Sequence, residues 1–208
     1  MILESVIEHV VEQQKLRLTS RDAGLKRELK SATKSLSSHA LIISGVRRCG
    51  KSTLLMQMMH DLDQTNLLYL NFESPQLYEF NLLDFARLDN IIARKGAKIL
   101  FFDELQWVEG LEMYIRQKLD EGLQVVITGS NASLLSKELG TRLTGRHITQ
   151  ELFPFSYTEF LQFLQLSPGT ESLANYMQTG GFPEFVKNGD DEQLATLYTL
   201  SLHDALPI

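Results

Sequence analysis

Gly45-Val46-Arg47-Arg48-Cys49-Gly50-Lys51-Ser52, with Thr53 behind it, fits the pattern G-x-x-x-x-G-K-[ST] and decides how the chain reads. Its flanks agree: residues 39–44 are an apolar run of strand length, and residues 52–60 set Leu54, Leu55, Met58 and Met59 at helical spacing. A strand, a glycine-rich turn and a helix form the context in which this pattern cradles phosphate. The turn points backbone N–H groups inward, and the first helical turn adds unpaired donors and a positive dipole end. On this reading Gly45, Val46, Arg47, Arg48, Cys49, Gly50, Lys51, Ser52 and Thr53 hold a nucleotide. Lys51 reaches its β/γ-phosphates, Ser52 offers a hydroxyl to Mg²⁺, and Gly45 and Gly50 keep side chains out of the phosphate space. Cys49, beside the dipole and Lys51, is expected to be more acidic than a free cysteine and to be shielded by nucleotide.

Downstream, Ile99-Leu100-Phe101-Phe102-Asp103-Glu104 ends an apolar strand in two carboxylates. Asp103 at the carboxyl edge of a buried strand suits Mg²⁺, directly or through water. Glu104, one residue on, suits the far side of the γ-phosphate, where it would orient or deprotonate water. Alone, the pair would read as an ordinary strand-end turn; with the phosphate loop upstream it points to hydrolysis. Glu73, after a second strand over residues 67–72, reads as a solvent-facing carboxylate, with water-ordering as the other reading. Trp107 reads as a packing residue over the sheet end and not as a ring stacked on the base.

The strand over residues 123–128 delivers Thr128, Gly129, Ser130 and Asn131 to the same edge. Asn131, with Ser130 as the alternative, is expected to report the γ-phosphate and lytic water; the other would cap a helix over residues 133–139. Arg142 and Arg146, bracketed by Gly140 and Gly145, are candidates for a cationic finger on the γ-phosphate. Arg146 is preferred, placed at the rim of the nucleotide edge and acting on a neighbouring subunit. The competing reading has both arginines neutralising Glu138 or Glu151. His147 reads as structural, and no Cys/His/Asp cluster suggests zinc or iron.

The 208 residues are 43% hydrophobic and 22% charged, which suits one substantial globular domain and part of a second. A single cysteine excludes a disulfide framework, and a reducing cytoplasm is the default. Apolar runs are strand-sized, and Glu4 and Glu8 stand where a signal peptide would be basic, so neither export nor a membrane is indicated. The net charge of −6 offers no broad nucleic-acid footprint.

Four segments follow. Residues 1–36 form a helical lead, with Ile2, Leu3, Val6, Ile7, Val10 and Val11 as one stripe, Gly24 as an interruption, and Leu25, Leu29 and Leu36 resuming it. This reads as a pair of helices on the core edge. The alternative is a docking surface for another subunit or DNA through Lys15, Arg17, Arg21, Lys26, Arg27, Lys30 and Lys34. Residues 37–155 form the core, including an amphipathic helix over residues 82–92. Residues 156–197 begin a helical lid or second domain, with Ser156 capping residues 157–166 and Glu159 completing a capping box, then a helix over residues 173–177 stopped by Gly180-Gly181. Residues 198–208 resemble a translated sequencing adapter, so His203 and Asp204 carry no function and the natural chain would be cut near Leu197.

Gly45 to Thr53, Ile99 to Gln106, Thr128 to Asn131, Gly140 to Ser156 and Gly180-Gly181-Phe182-Pro183-Glu184 together resemble a family of prokaryotic AAA-type ATPases, the archaeal-ATPase-like group. The resemblance implies an α/β fold, a three-layer α-β-α P-loop NTPase core of the additional-strand, catalytic-glutamate type. In it the Thr128 strand separates the Asp103 strand from the phosphate-loop strand, and the helical lead and a truncated helical carboxy-terminal segment flank the core. It implies ATP hydrolysis and a longer carboxy-terminal half. The reading as a whole is a Mg²⁺-dependent ATPase switch or motor, expected as a homo-oligomer with a protein or DNA partner reached through that half. Cys49 stands where such proteins commonly have valine. A nucleotide-binding scaffold without turnover and, more weakly, a P-loop kinase are the alternatives.

Overall fold

The computed structural model describes residues 1–27, 38–104, 108, 110–129, 143 and 145–189. Its centre is a five-stranded sheet built from β1 (Ala40–Ser44), β2 (Leu67–Asn71), β3 (Ile99–Asp103), β4 (Gln124–Gly129) and β5 (His147–Glu151), in the order β2-β3-β4-β1-β5. All pairings are parallel. β1 is buried along its whole length, as a strand covered on both faces must be.

Alternation along the strands divides the core in two. Leu41, Ile43, Tyr69, Phe101 and Val126 face α2 (Lys51–His60) and pack with Leu54, Leu55 and Met59. Ile42, Leu70, Phe102, Val125 and Ile127 face α3 (Phe85–Lys95) and α4 (Leu111–Asp120), against Leu88, Ile91, Ile115 and Leu119. The result is the three-layer α-β-α arrangement, with β4 between β1 and β3 as the family resemblance implied.

α1 (Glu4–Thr19) closes the β2 edge of the sheet. Ile7, Val10 and Val11 join one core layer and Leu18 the other. Gln14 stands in for a sixth strand: its Nε2 donates to the Asn71 carbonyl at 3.0 Å and its Oε1 accepts from the Asn71 amide at 2.8 Å. An edge that would otherwise leave its backbone unpaired is thereby capped by one side chain.

Beyond β5 the chain forms α5 (Tyr157–Leu164), α6 (Thr170–Thr179) and the short α7 (Pro183–Asn188). The expected capping box is present: Ser156 accepts from the Glu159 amide, and the Glu159 carboxylate accepts from the Ser156 amide. Gly181 passes so close to Phe155 that a Cβ would lie 2.2 Å from its carbonyl oxygen, and the Phe155 amide donates to the Gly181 carbonyl.

Several expectations need correction. Residues 20–27 carry no helix: they run irregularly over α2, where Gln57 bonds their backbone, and the rest of the second helix expected of the lead lies outside the described residues. The helix expected over residues 82–92 begins at Phe85, after a short 3₁₀ turn, Leu82–Asp84, capped by Asn81. Leu82 and Leu83 are consequently exposed. α7 was not anticipated: Pro183, pre-set for the first helical position, starts a helix where the glycine pair suggested only a stop. The helix expected over residues 133–139 and the adapter-like tail lie outside the described residues. Among the described residues, no helix is long and apolar enough to cross a membrane.

Candidate functional site

Because the strands are parallel, their carboxyl ends share one edge, and the register puts Ser44, Asn71, Asp103 and Gly129 near a common level. The phosphate loop leaves β1 there. Gly50 adopts φ 101° and Arg48 φ 64°, both left-handed, so the chain curls before α2 begins at Lys51. Lys51 is buried, and its Nζ donates to the carbonyls of Gly45 and Val46 at 3.0 Å each. The ammonium is thus held inside the loop at the head of α2. Arg47 and Arg48 diverge from it, toward Glu73 at 3.1 Å and toward Glu184 on α7 at 3.5 Å.

Gly45 is also constrained by the protein itself. A Cβ there would lie 2.3 Å from the Leu152 carbonyl and 2.9 Å from the Cys49 sulfur, so the residue after β5 and the loop leave no room for a side chain. The expected acidity of Cys49 is overturned. Its side chain is fully buried, and burial pushes the thiol above its usual value against the opposing pull of Lys51 and Arg27.

Asp103 has no exposed surface, and it is held by four neighbours. The Tyr69 hydroxyl donates to it at 2.8 Å, Asn71 Nδ2 lies at 3.4 Å, and the hydroxyls of Thr128 and Ser52 also bond to it. Burial raises its pKa, and the hydroxyl bonds from Thr128, Ser52 and Tyr69 pull in the opposite direction. Thr128 also accepts from the Glu104 amide at 3.3 Å, which ties β4 to the turn after β3. Glu104 takes φ 55°, an uncommon conformation for a non-glycine residue, and lines the cleft beside Lys51 and Ser52.

That cleft, of about 690 Å³, is bounded by the loop and α2 from Arg48 to Thr53, by Glu104, by residues 21–27, and by Phe155, Phe163, Pro183 and Lys187. Its lining is polar at Lys51, Ser52 and Thr53 and apolar where Leu25, Phe155 and Phe163 pack together.

Arg27 joins the three parts. It is buried, and its guanidinium donates to the Cys49 carbonyl at 3.0 Å, the Phe153 carbonyl at 2.7 Å and Glu159 at 2.6 Å. It also lies 5.0 Å from the centre of the Phe155 ring. Of the docking surface considered for the lead, Arg27 faces inward and Lys15 donates to the Gln64 carbonyl, whereas Lys26 pairs with Asp61 at the surface; Lys30 and Lys34 lie outside the described residues.

Arg146 is not at the nucleotide rim. It precedes β5, its carbonyl accepts from the Ala40 amide, and its side chain pairs with Asp120 and donates to the Ser38 carbonyl. That is the amino edge of the sheet, a strand length of about 16 Å from the loop. Among the described residues its ion-pair partner is Asp120, because β5 pairs beside β1 and brings its start level with the end of α4; Glu138 lies outside the described residues. Ser130, Asn131, Arg142 and Trp107 lie outside the described residues.

The sequence profile of the AAA domain family matches residues 37–161. The chain belongs to this family of P-loop ATPases. An uncharacterised protein of the archaeon Methanocaldococcus jannaschii is 30% identical over 200 residues, covering 90% of this chain and 44% of the relative. An uncharacterised protein of the bacterium Haemophilus influenzae is 37% identical over 179 residues, covering 79% and 44%. This AAA chain thus spans less than half the length of these relatives. Among solved structures, AMPPCP-bound DnaA from Aquifex aeolicus superimposes with a TM-score of 0.49 at 15% identity, over 96% of this chain and 63% of that one.

Tyr69, Asn71, Arg27 and Gln57 had no assigned place in the site when the sequence was read alone. Asn71 left a signal, as an amide at the end of the strand paired with β3. Arg27 left none, since its partners lie 22 to 132 residues away.

Proposed function

We propose that this AAA chain binds ATP in the cleft beside Lys51 and hydrolyses it to ADP and phosphate in the service of a switch or motor. The observation that carries the reading is the buried carboxylate of Asp103 bonded to Ser52 and Thr128, with Glu104 and Lys51 on the same cleft. The phosphates would lie against the loop amides and the α2 amino terminus, with Lys51 leaving the Gly45 and Val46 carbonyls for the β/γ-phosphates.

The donor set suits Mg²⁺, a hard cation that prefers oxygen: the Ser52 hydroxyl and the Asp103 carboxylate are already in contact. Among the described residues no three His, Cys, Asp or Glu side chains converge on a free-standing metal site, so the ion would be shared with phosphate oxygens. When bound, Mg²⁺ would neutralise charge developing on those oxygens. Glu104 would then accept a proton from the attacking water or orient it, and Thr128, bonded to both Asp103 and the Glu104 amide, would keep the two carboxylates in register. Ser130 or Asn131, following β4, is the proposed reporter of the γ-phosphate. A finger role for Arg146 requires a second copy of the chain, given its place at the amino edge.

Glu104→Gln tests the reading. Nucleotide affinity should hold within about twofold while turnover falls about a hundredfold or more, as for loss of a general base. Binding without turnover in the unaltered full-length protein would favour the scaffold instead.

A further inference from the structure

The irregular segment 22–27 forms one wall of the cleft, yet it lies between Thr19, where α1 ends, and residue 27 without helix or strand of its own. The Arg27 guanidinium ties its end to Cys49, Phe153 and Glu159, and its backbone is held by one side chain of α2. Gln57 is buried; its Nε2 donates to the Ala23 carbonyl at 2.6 Å and the Leu25 carbonyl at 2.7 Å, and its Oε1 accepts from the Arg27 amide at 3.1 Å. Only an amide does all three, because a carboxylate cannot donate and an apolar chain can do neither. Within that span Gly24 adopts φ 60°, and its amide is tied to Asp22 Oδ1 at 3.0 Å, so the turn is fixed from both sides.

Two facts give this anchor a bearing on recognition. Asp22, Gly24 and Leu25 line the cleft, and Leu25 packs with Phe155 and Phe163. Gln57 itself sits on the helix whose first residues, Lys51 to Thr53, supply its polar lining. One rigid element therefore sets the spacing between the phosphate cradle and the apolar wall.

We propose that Gln57 is the positioning residue for nucleobase recognition: by fixing residues 23–27 on α2 it places the wall that a base meets at a set distance from the phosphate loop. This rests on the ATP reading above. A polyphosphate without a base uses only the loop, whereas ATP uses the loop and the wall, so the two ligands separate the wall from the cradle.

The test measures affinity for ATP, GTP and inorganic tripolyphosphate, each with Mg²⁺, in the unaltered chain, in Gln57→Met and in Gly24→Ala. The second variant disturbs the turn from outside α2: its Cβ meets nothing within 4 Å, so the change acts through φ alone. Both variants should lose affinity for ATP about tenfold and lose most of any preference of ATP over GTP, with tripolyphosphate held within about twofold. Gln57→Asn, which keeps the amide, should recover part of the ATP affinity. Parallel loss of ATP and tripolyphosphate in both variants would overturn the proposal by making the anchor a support of the phosphate loop. Unchanged ATP affinity in Gly24→Ala, or in a folded Gln57→Met, would overturn it as well. An unaltered chain that binds tripolyphosphate and ATP equally would sink this inference while leaving the phosphate site intact. One that binds neither would sink the ATP reading with it.

Discussion

The two ends of the sheet carry similar residue types and use them in opposite ways. At the carboxyl end, Lys51, Asp103 and Thr128 are buried and bonded to one another or to loop carbonyls. At the amino end, Arg146 and Asp120 form a pair whose side chains are 32% and 61% exposed, which water and salt screen. The difference follows from strand direction. Parallel strands send all their outgoing turns to one edge, where helix amino termini and orphan amides also gather, so polar groups there find partners without water. The other edge receives incoming segments and needs only solubility. The comparison teaches that a charged residue in a glycine-rich turn has no function that can be assigned until its edge is known.

The largest effect should follow from Lys51→Ala at the carboxyl edge. Removing the ammonium held inside the loop should weaken ATP binding about a thousandfold, or ~4 kcal/mol, in calorimetric titration. Retained affinity in a folded variant would break the comparison outright.

Next comes Arg27→Ala, which leaves the Cys49 and Phe153 carbonyls and Glu159 without their buried partner. We expect destabilisation of about 3 kcal/mol by urea titration. A pH signature accompanies it. Burial pushes Glu159 up, but its bonds to the Ser156 amide and Arg27 outweigh this and hold it below the usual carboxylate value. A lowered folded pKa means that the pair's contribution is complete above about pH 4.3, the unfolded value, and is lost as pH falls through the folded one. In Arg27→Ala this acid-side loss should shrink; an unchanged acid limb would show that Ser156 alone holds Glu159.

Arg146→Ala should do least. A partly exposed pair predicts a stability change of roughly 0.5 kcal/mol and no change in ATP affinity. Mixing Arg146→Ala with Lys51→Ala chains sharpens the point. If turnover returns on mixing, the amino edge of one copy serves the carboxyl edge of another; if it stays flat in a confirmed oligomer, the pair is structural.

By itself the sequence determined the phosphate loop, the Asp103-Glu104 turn and the capping box at Ser156. Each of these is local: its residues are neighbours in the chain, so spacing carries the geometry. The strands were legible for the same reason, since a run such as Ile99 to Phe102 can only be buried. Sequence reading failed where partners are distant. Arg27 looked like surface charge because nothing near it in the chain reveals Cys49, Phe153 and Glu159, and nothing near Gln57 in the chain reveals residues 23–27. Cys49 looked acidic because its neighbours in sequence are cationic, whereas desolvation, a property of the packed interior, outweighs them. Only the tertiary structure could decide these, because burial and edge are set by which segments pack together, and the order of strands in a parallel sheet is not written in the order of the chain.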